Sequence, residues 1–112
     1  MKVDELSPKP DSHDDFEWSR AKFLPKHAGC YVLTNFSNEV LYIGQAKVIK
    51  RRIEQHLDDP NKTKPTKIGY AHFVYWLRAE ELELNKLERG WLNEHVQKTG
   101  ELPLFNKTQG NI

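Results

Sequence analysis

Five side chains have the types and spacing to handle an anion: Tyr31, Tyr42, Arg52, His56 and Glu88. The two tyrosines stand eleven residues apart, each close to a glycine, Gly29 or Gly44, that leaves room for a backbone or a ligand. On a helical wheel Ile49, Ile53 and Leu57 make a buried stripe, Arg52 and His56 run along its edge, and Arg51 points almost opposite. Arg51 is therefore a solvent charge, and Arg52 is held near the sheet. A cation kept at the border of a core has a reason if the substrate is anionic. Glu88 falls within the apolar face of a later helix, where a carboxylate is costly unless it is paired or bound to metal. Two structural partners are open to it, a salt bridge to Arg52 or a hydrogen bond to a tyrosine. The alternative is a single-carboxylate ligand for a hydrated divalent cation, which suits magnesium.

Two short strands and a helix must position the first four of these. Residues 28–34 and 39–43 are rich in β-branched and aromatic side chains, and Asn35-Phe36-Ser37-Asn38 between them has turn chemistry. A two-residue loop at Phe36-Ser37 sets Tyr31 directly across from Tyr42, and any even shift of that loop keeps both on one face. The basic helix is expected over 47–58, a lysine-bearing loop over 59–67 and a third strand over 68–77. The longest helix follows over 78–97, with Leu84, Leu87, Trp91, Leu92 and His95 on its packed face. Residues 102–106 read as a return segment. A further short helix is expected from Asp11 or Ser12 to about Lys22.

The chain resembles the GIY-YIG nuclease family. The first signature stands as Gly29-Cys30-Tyr31 and the second, intact, as Tyr42-Ile43-Gly44. Their spacing, the run Gly44-Gln45-Ala46-Lys47 into a basic helix, and then Arg52, His56 and Glu88 extend the likeness over roughly residues 24–106. The resemblance implies metal-dependent hydrolysis of a DNA phosphodiester. A tyrosine, Tyr31 by preference with Tyr42 assisting, would take the proton of an attacking water. Free phenol has a pKa of about 10, so a neighbouring cation or the metal must ease its ionisation. Arg52 would neutralise charge on the phosphorus centre, His56 would orient or relay a proton, and Glu88 would hold Mg2+ or Mn2+. Asn106 corresponds to an asparagine that the family carries after the glutamate helix. Gln45 departs from the repair branch of the family, which often has lysine there.

Composition sets the outer bounds. A hydrophobic share of 38% and a charged share of 29% fit a globular domain, and a lone cysteine excludes an internal disulfide or a multi-cysteine zinc site. No apolar stretch is long enough to span a membrane, and none at the N-terminus looks like a signal peptide, so a cytoplasmic location is expected. Net charge is only +1, but it is unevenly spread. From Gly44 to Lys67 seven basic residues face three acidic ones, whereas the first twenty residues carry six carboxylates against three bases. The expected DNA contacts are Gly44, Gln45, Lys47, Lys50, Arg51, Lys62, Lys64 and Lys67, which could follow a phosphate backbone.

Residues 1–10 read as a disordered lead-in, 11–106 as one GIY-YIG-like domain and 107–112 as a loose tail. The fold expected is α+β, a small three-stranded, mainly antiparallel sheet flanked by helices. The activity expected is that of a metal-dependent endodeoxyribonuclease in DNA repair or recombination. A homodimer or a partner would supply any strong sequence specificity. Two alternatives stay open: a nucleic-acid-binding module of the same fold with little or no activity, and a protein-interaction domain using the aromatics of strand 68–77.

Overall fold

The computed structural model describes residues 1–107. Its fold is α+β, with a four-stranded antiparallel sheet in the order β1-β4-β2-β3. The strands are β1 Ser12–Asp15, β2 Gly29–Thr34, β3 Val40–Ala46 and β4 Phe73–Arg78. The helices are α1 Ile49–Leu57, α2 Pro60–Thr63, α3 Leu84–Thr99 and α4 Leu104–Lys107, with 3-10 turns at Val3–Glu5, Trp18–Phe23 and Glu81–Glu83. Among the described residues no helix is long and apolar enough to cross a membrane.

Every residue of β2 is buried, because both faces of the sheet are covered. On one face Tyr31, Leu33, Tyr42 and Val74 pack with Ile49 and Ile53 of α1 and with Phe16, Leu24 and Phe105. On the other, Cys30, Val32 and Ile43 pack with Leu84 and Trp91 of α3. Alternation along β2 and β3 thus sorts the signature residues, with the tyrosines toward α1 and Cys30 and Ile43 toward α3.

Several expectations are corrected. The sheet has a fourth strand, since Ser12–Asp15 pairs with β4 instead of opening a helix. Its carboxylates suit a short edge strand, where charge discourages further pairing. Only a 3-10 turn follows, and in it Trp18 and Phe23 are more than half exposed while Phe16 and Leu24 are buried. Residues 1–10 are not a disordered lead-in: Val3 and Leu6 are buried against the α3 face, and the Ser7 amide donates to Glu94. The third strand begins at Phe73, five residues later than expected, because Thr66–Gly69 forms a turn with Gly69 at φ 109°. The 59–67 segment is not all loop, as Asp59 caps the short helix α2 by accepting from the Asn61 amide. Of the tail expected over 107–112, all but Lys107 lies outside the described residues.

Candidate active site

The β2–β3 hairpin sets the tyrosines, and it does so with a different loop from the one expected. Asn35 Oδ1 accepts from the amides of Ser37 and Glu39, and Asn38 closes the turn at φ 66°, a left-handed value that asparagine tolerates. A bulge between Leu33 and Thr34 completes the shift. Tyr31 consequently lies opposite Gly44, and Tyr42 opposite Leu33. The displacement is even, so the phenols still share a face, with ring centroids 6.1 Å apart. Gly44 is what allows this. A Cβ there would stand 2.6 Å from the Tyr31 hydroxyl and 2.8 Å from the Tyr42 ring.

His56 of α1 closes over both rings. The Tyr31 hydroxyl is hydrogen-bonded to His56 Nε2 at 2.6 Å, and the Tyr42 ring meets the imidazole edge-on at 5.2 Å between centroids. Burial, followed by the nearby charges of Arg52 and Lys62, pulls the His56 pKa down to about 4, so at neutral pH the ring is uncharged. Burial first, and then Tyr42, push the Tyr31 phenol well above the ordinary tyrosine range, while Arg52 pulls the other way. Burial also opposes the charge on Arg52, but the phenols of Tyr31 and Tyr42 outweigh it and raise the arginine pKa. The guanidinium, which also donates to Gln55, therefore sits against both phenol oxygens at the exposed side of the cluster.

Glu88 is elsewhere. Gln45 points toward α3, and its amide nitrogen donates to Glu88 Oε1 at 2.9 Å and to Asn85 Oδ1 at 2.7 Å. Burial and, second, the Glu88 charge push the Cys30 thiol up to about 12, which puts that carboxylate beside the α3 face of β2. Among the described residues neither the ion pair with Arg52 nor a bond to a tyrosine forms. Asn106 spans the boundary between the faces. Its side chain donates to the Ile43 carbonyl and accepts from the Ile43 amide, 3.0 and 2.9 Å, as a neighbouring strand would. The N–H and C=O of Ile43 thus point away from β2, and by antiparallel alternation those of Gln45 do the same. Gly44, walled by the tyrosines, and Gln45, bonded to Glu88, are consecutive on this outer edge.

The basic residues do not form one patch. Lys47 lies 4.0 Å from Glu81, and Lys50 is paired with Glu54 at 2.7 Å. Arg51 lines a shallow hollow with Lys47, Val48, Arg52 and Gln55, whereas Lys67 lines a different one beside Glu39 and Val40. Lys64 is exposed. Lys62 is no surface lysine: it is 4% exposed, and its ammonium sits 5.0 Å above the centre of the Tyr42 ring. Asp59-Pro60, a capping residue followed by proline at the first helical position, was the sequence signal for the turn that directs it inward. Asn85, the other partner of Gln45, carried no such signal.

No group of three or more histidine, cysteine or acidic residues converges among the described residues. A metal here would rest on few protein oxygens. Glu88 and Asn85, both bonded to one amide, are two such oxygen donors side by side, which fits a hard, hydrated cation.

The sequence profile of the GIY-YIG catalytic domain matches residues 27–101. UvrABC system protein C of Clostridium tetani is 32% identical over 88 residues, which are 75% of this chain and 14% of that protein. The protein of the same name from Mycoplasmoides gallisepticum is 43% identical over 75 residues, 63% of this chain and 12% of the relative. The chain thus spans about a seventh of the length of these curated relatives. In three dimensions it is similar to the GIY-YIG N-terminal endonuclease domain of UvrC from Thermotoga maritima, bound to magnesium as its catalytic divalent cation. The TM-score is 0.52 at 19% identity, covering 78% of this chain and 91% of that one. At that identity the likeness is one of fold.

Proposed function

The chain belongs to the GIY-YIG catalytic-domain family, and from that premise we propose that it is a divalent-metal-dependent endonuclease acting on DNA phosphodiesters in the cytoplasm. The observation that carries the reading is the pair of consecutive β3 residues. Gly44 is bounded by Tyr31 and Tyr42, and Gln45 is bonded to Glu88, at an edge where the backbone groups of Gln45 face outward. A phosphate seated on that edge would have phenols and a guanidinium on one side and a carboxylate on the other.

The geometry favours Tyr42 over Tyr31 as the phenol that meets the attacking water. Both are buried, but Tyr31 is 0% exposed against 5% for Tyr42, and the Tyr31 hydroxyl is hydrogen-bonded to His56. In the reading we favour, the Tyr42 phenol first gives up its proton to solvent, and the phenolate oxygen then takes a proton from water as the water oxygen bonds to phosphorus. The opposite P–O bond then breaks, and the departing oxygen is protonated from solvent. Arg52 neutralises the growing charge on the phosphoryl oxygens. Tyr31 and His56 hold the Tyr42 ring in place. Glu88 with Asn85 would hold Mg2+ or Mn2+, which when bound supplies Lewis-acid stabilisation of charge on the phosphate.

The test is incubation with flapped, branched, single-stranded and double-stranded DNA, with magnesium or manganese and with chelator. Cleavage of at least one substrate, abolished by chelator and by Arg52→Ala but only weakened by Arg51→Ala through binding, is expected. Binding of DNA without cleavage under any metal would establish the alternative, a binding module of the same fold.

A further inference from the structure

Lys62 is the one ammonium of the described residues that is sealed inside the protein next to a tyrosine of the site. Its side chain is 5% exposed, so the head group does not reach water along an apolar stem as most lysines do. Its counter-charge is modest, an Asp59 carboxylate 3.8 Å away that is itself 37% exposed. Burial lowers the lysine pKa, Asp59 opposes that, and the positive Arg52 and Lys64 add to it. The groups facing the ammonium are therefore Asp59 from its own turn, Arg52 and His56 from α1, Tyr42 from β3, and Lys64 beyond α2. A methionine would fill the same space without any desolvation cost, so packing alone does not call for a charge here. At the same time Gln45 leaves the position after the second signature neutral, and its amide is occupied by Asn85 and Glu88.

We propose that Lys62 is a positioning residue of the nuclease site, whose ammonium over the Tyr42 ring stabilises the phenolate form of Tyr42, the form that can take a proton from water. The ring face attracts the cation and the cation in turn favours the electron-rich form of the ring. Arg52 acts on the same oxygen from the solvent side, and Lys62 acts from within. The inference rests on the nuclease reading, and it assigns the lysine no contact with DNA.

The experiment is single-turnover cleavage with magnesium across the range from about pH 6 to about pH 10, around the free-phenol value, with wild type, Lys62→Met and Lys62→Arg. DNA affinity and melting temperature are measured alongside. The Met variant is expected to fold, to melt no lower than wild type and to bind DNA with unchanged affinity. Its rising limb of rate against pH moves up by about one unit, which is about tenfold slower cleavage on that limb, and the loss is regained at the alkaline end. Lys62→Arg keeps the limb in place. Lys62→Gln, neutral but polar beside Asp59, gives the same displacement and carries the test if the Met variant does not fold. A wild-type limb in the neutral variants, or a loss equal at every pH, overturns the role of Lys62 alone. A wild type that cuts no DNA overturns the nuclease reading and this role with it.

Discussion

His56 is the residue whose environment makes the clearest demand on conditions. It is buried between two phenols with an ordinary pKa of 6.5 brought down to about 4, chiefly by burial and then by Arg52 and Lys62. An unfolded chain takes up a proton below 6.5 that the folded chain refuses until about 4. The stability tied to the neutral ring is therefore full above the unfolded value and is lost as pH falls across that window. At about 1.4 kcal/mol per pH unit, the most that one such histidine can withdraw is roughly 3 kcal/mol. His95, likewise lowered to about 4 by burial, adds a second contribution over the same range. Denaturant unfolding at a series of pH values between neutrality and this lower limit should show the fall, and His56→Gln should flatten part of it. An unchanged slope in that variant would show that His56 is not held neutral. The histidine at the edge of the apolar stripe was legible from the wheel. Its hydrogen bond to the Tyr31 hydroxyl was not, because that depends on a hairpin register that a bulge decides.

At the scale of elements, β3 is the strand on which the account turns, and its outer edge is capped by one side chain. Asn106 from α4 replaces the missing neighbour strand at Ile43 with two hydrogen bonds. Asn106→Ala leaves both backbone groups without that partner and should cost about 1–3 kcal/mol of stability, since unsatisfied backbone is dearer than a hydrogen bond is valuable. The loss would appear as a lower melting temperature and as faster amide exchange at Ile43. Unaltered exchange at Ile43 would mean that solvent or another group caps the edge equally well. That Asn106 belongs near the site was legible only through the family resemblance. Its distance from Glu88 in sequence gives no hint that it would mimic a strand. The existence of the hairpin and of the two long helices was legible from alternation and periodicity, but the longer helix begins at Leu84 and not at 78, because β4 runs on to Arg78 and a 3-10 turn follows. β1 was not, because Asp14 and Asp15 read equally well as the first turn of a helix and only pairing with the distant β4 makes them a strand. Likewise Lys62 looked like one of three loop lysines until the Asp59 cap turned it inward.

Across the whole molecule the sheet separates the proposed machinery into two halves. Tyr31, Tyr42, Arg52, His56 and Lys62 lie on the α1 side, and Glu88, Asn85 and Gln45 on the α3 side. Among the described residues they come within one residue of each other at Gly44 and Gln45. This arrangement explains why the salt bridge to Arg52, one of the structural partners left open to Glu88 by the sequence, does not form: a helical wheel identifies a packed face, not the side of the sheet against which it packs. If the edge of β3 is a phosphate site, both halves are needed for turnover and only the basic flank of the α1 half for affinity. Glu88→Gln tests this most directly, measured as cleavage rate over a magnesium titration, with DNA affinity in chelator and melting temperature beside it. The variant keeps the shape of the side chain and removes the charge that attracts a cation. The account predicts unchanged DNA binding, a melting temperature equal to or above that of wild type, and a loss of turnover of about a hundredfold or more that added magnesium does not fully restore. A clearly lower melting temperature together with magnesium-dependent cleavage at near the wild-type rate would contradict it.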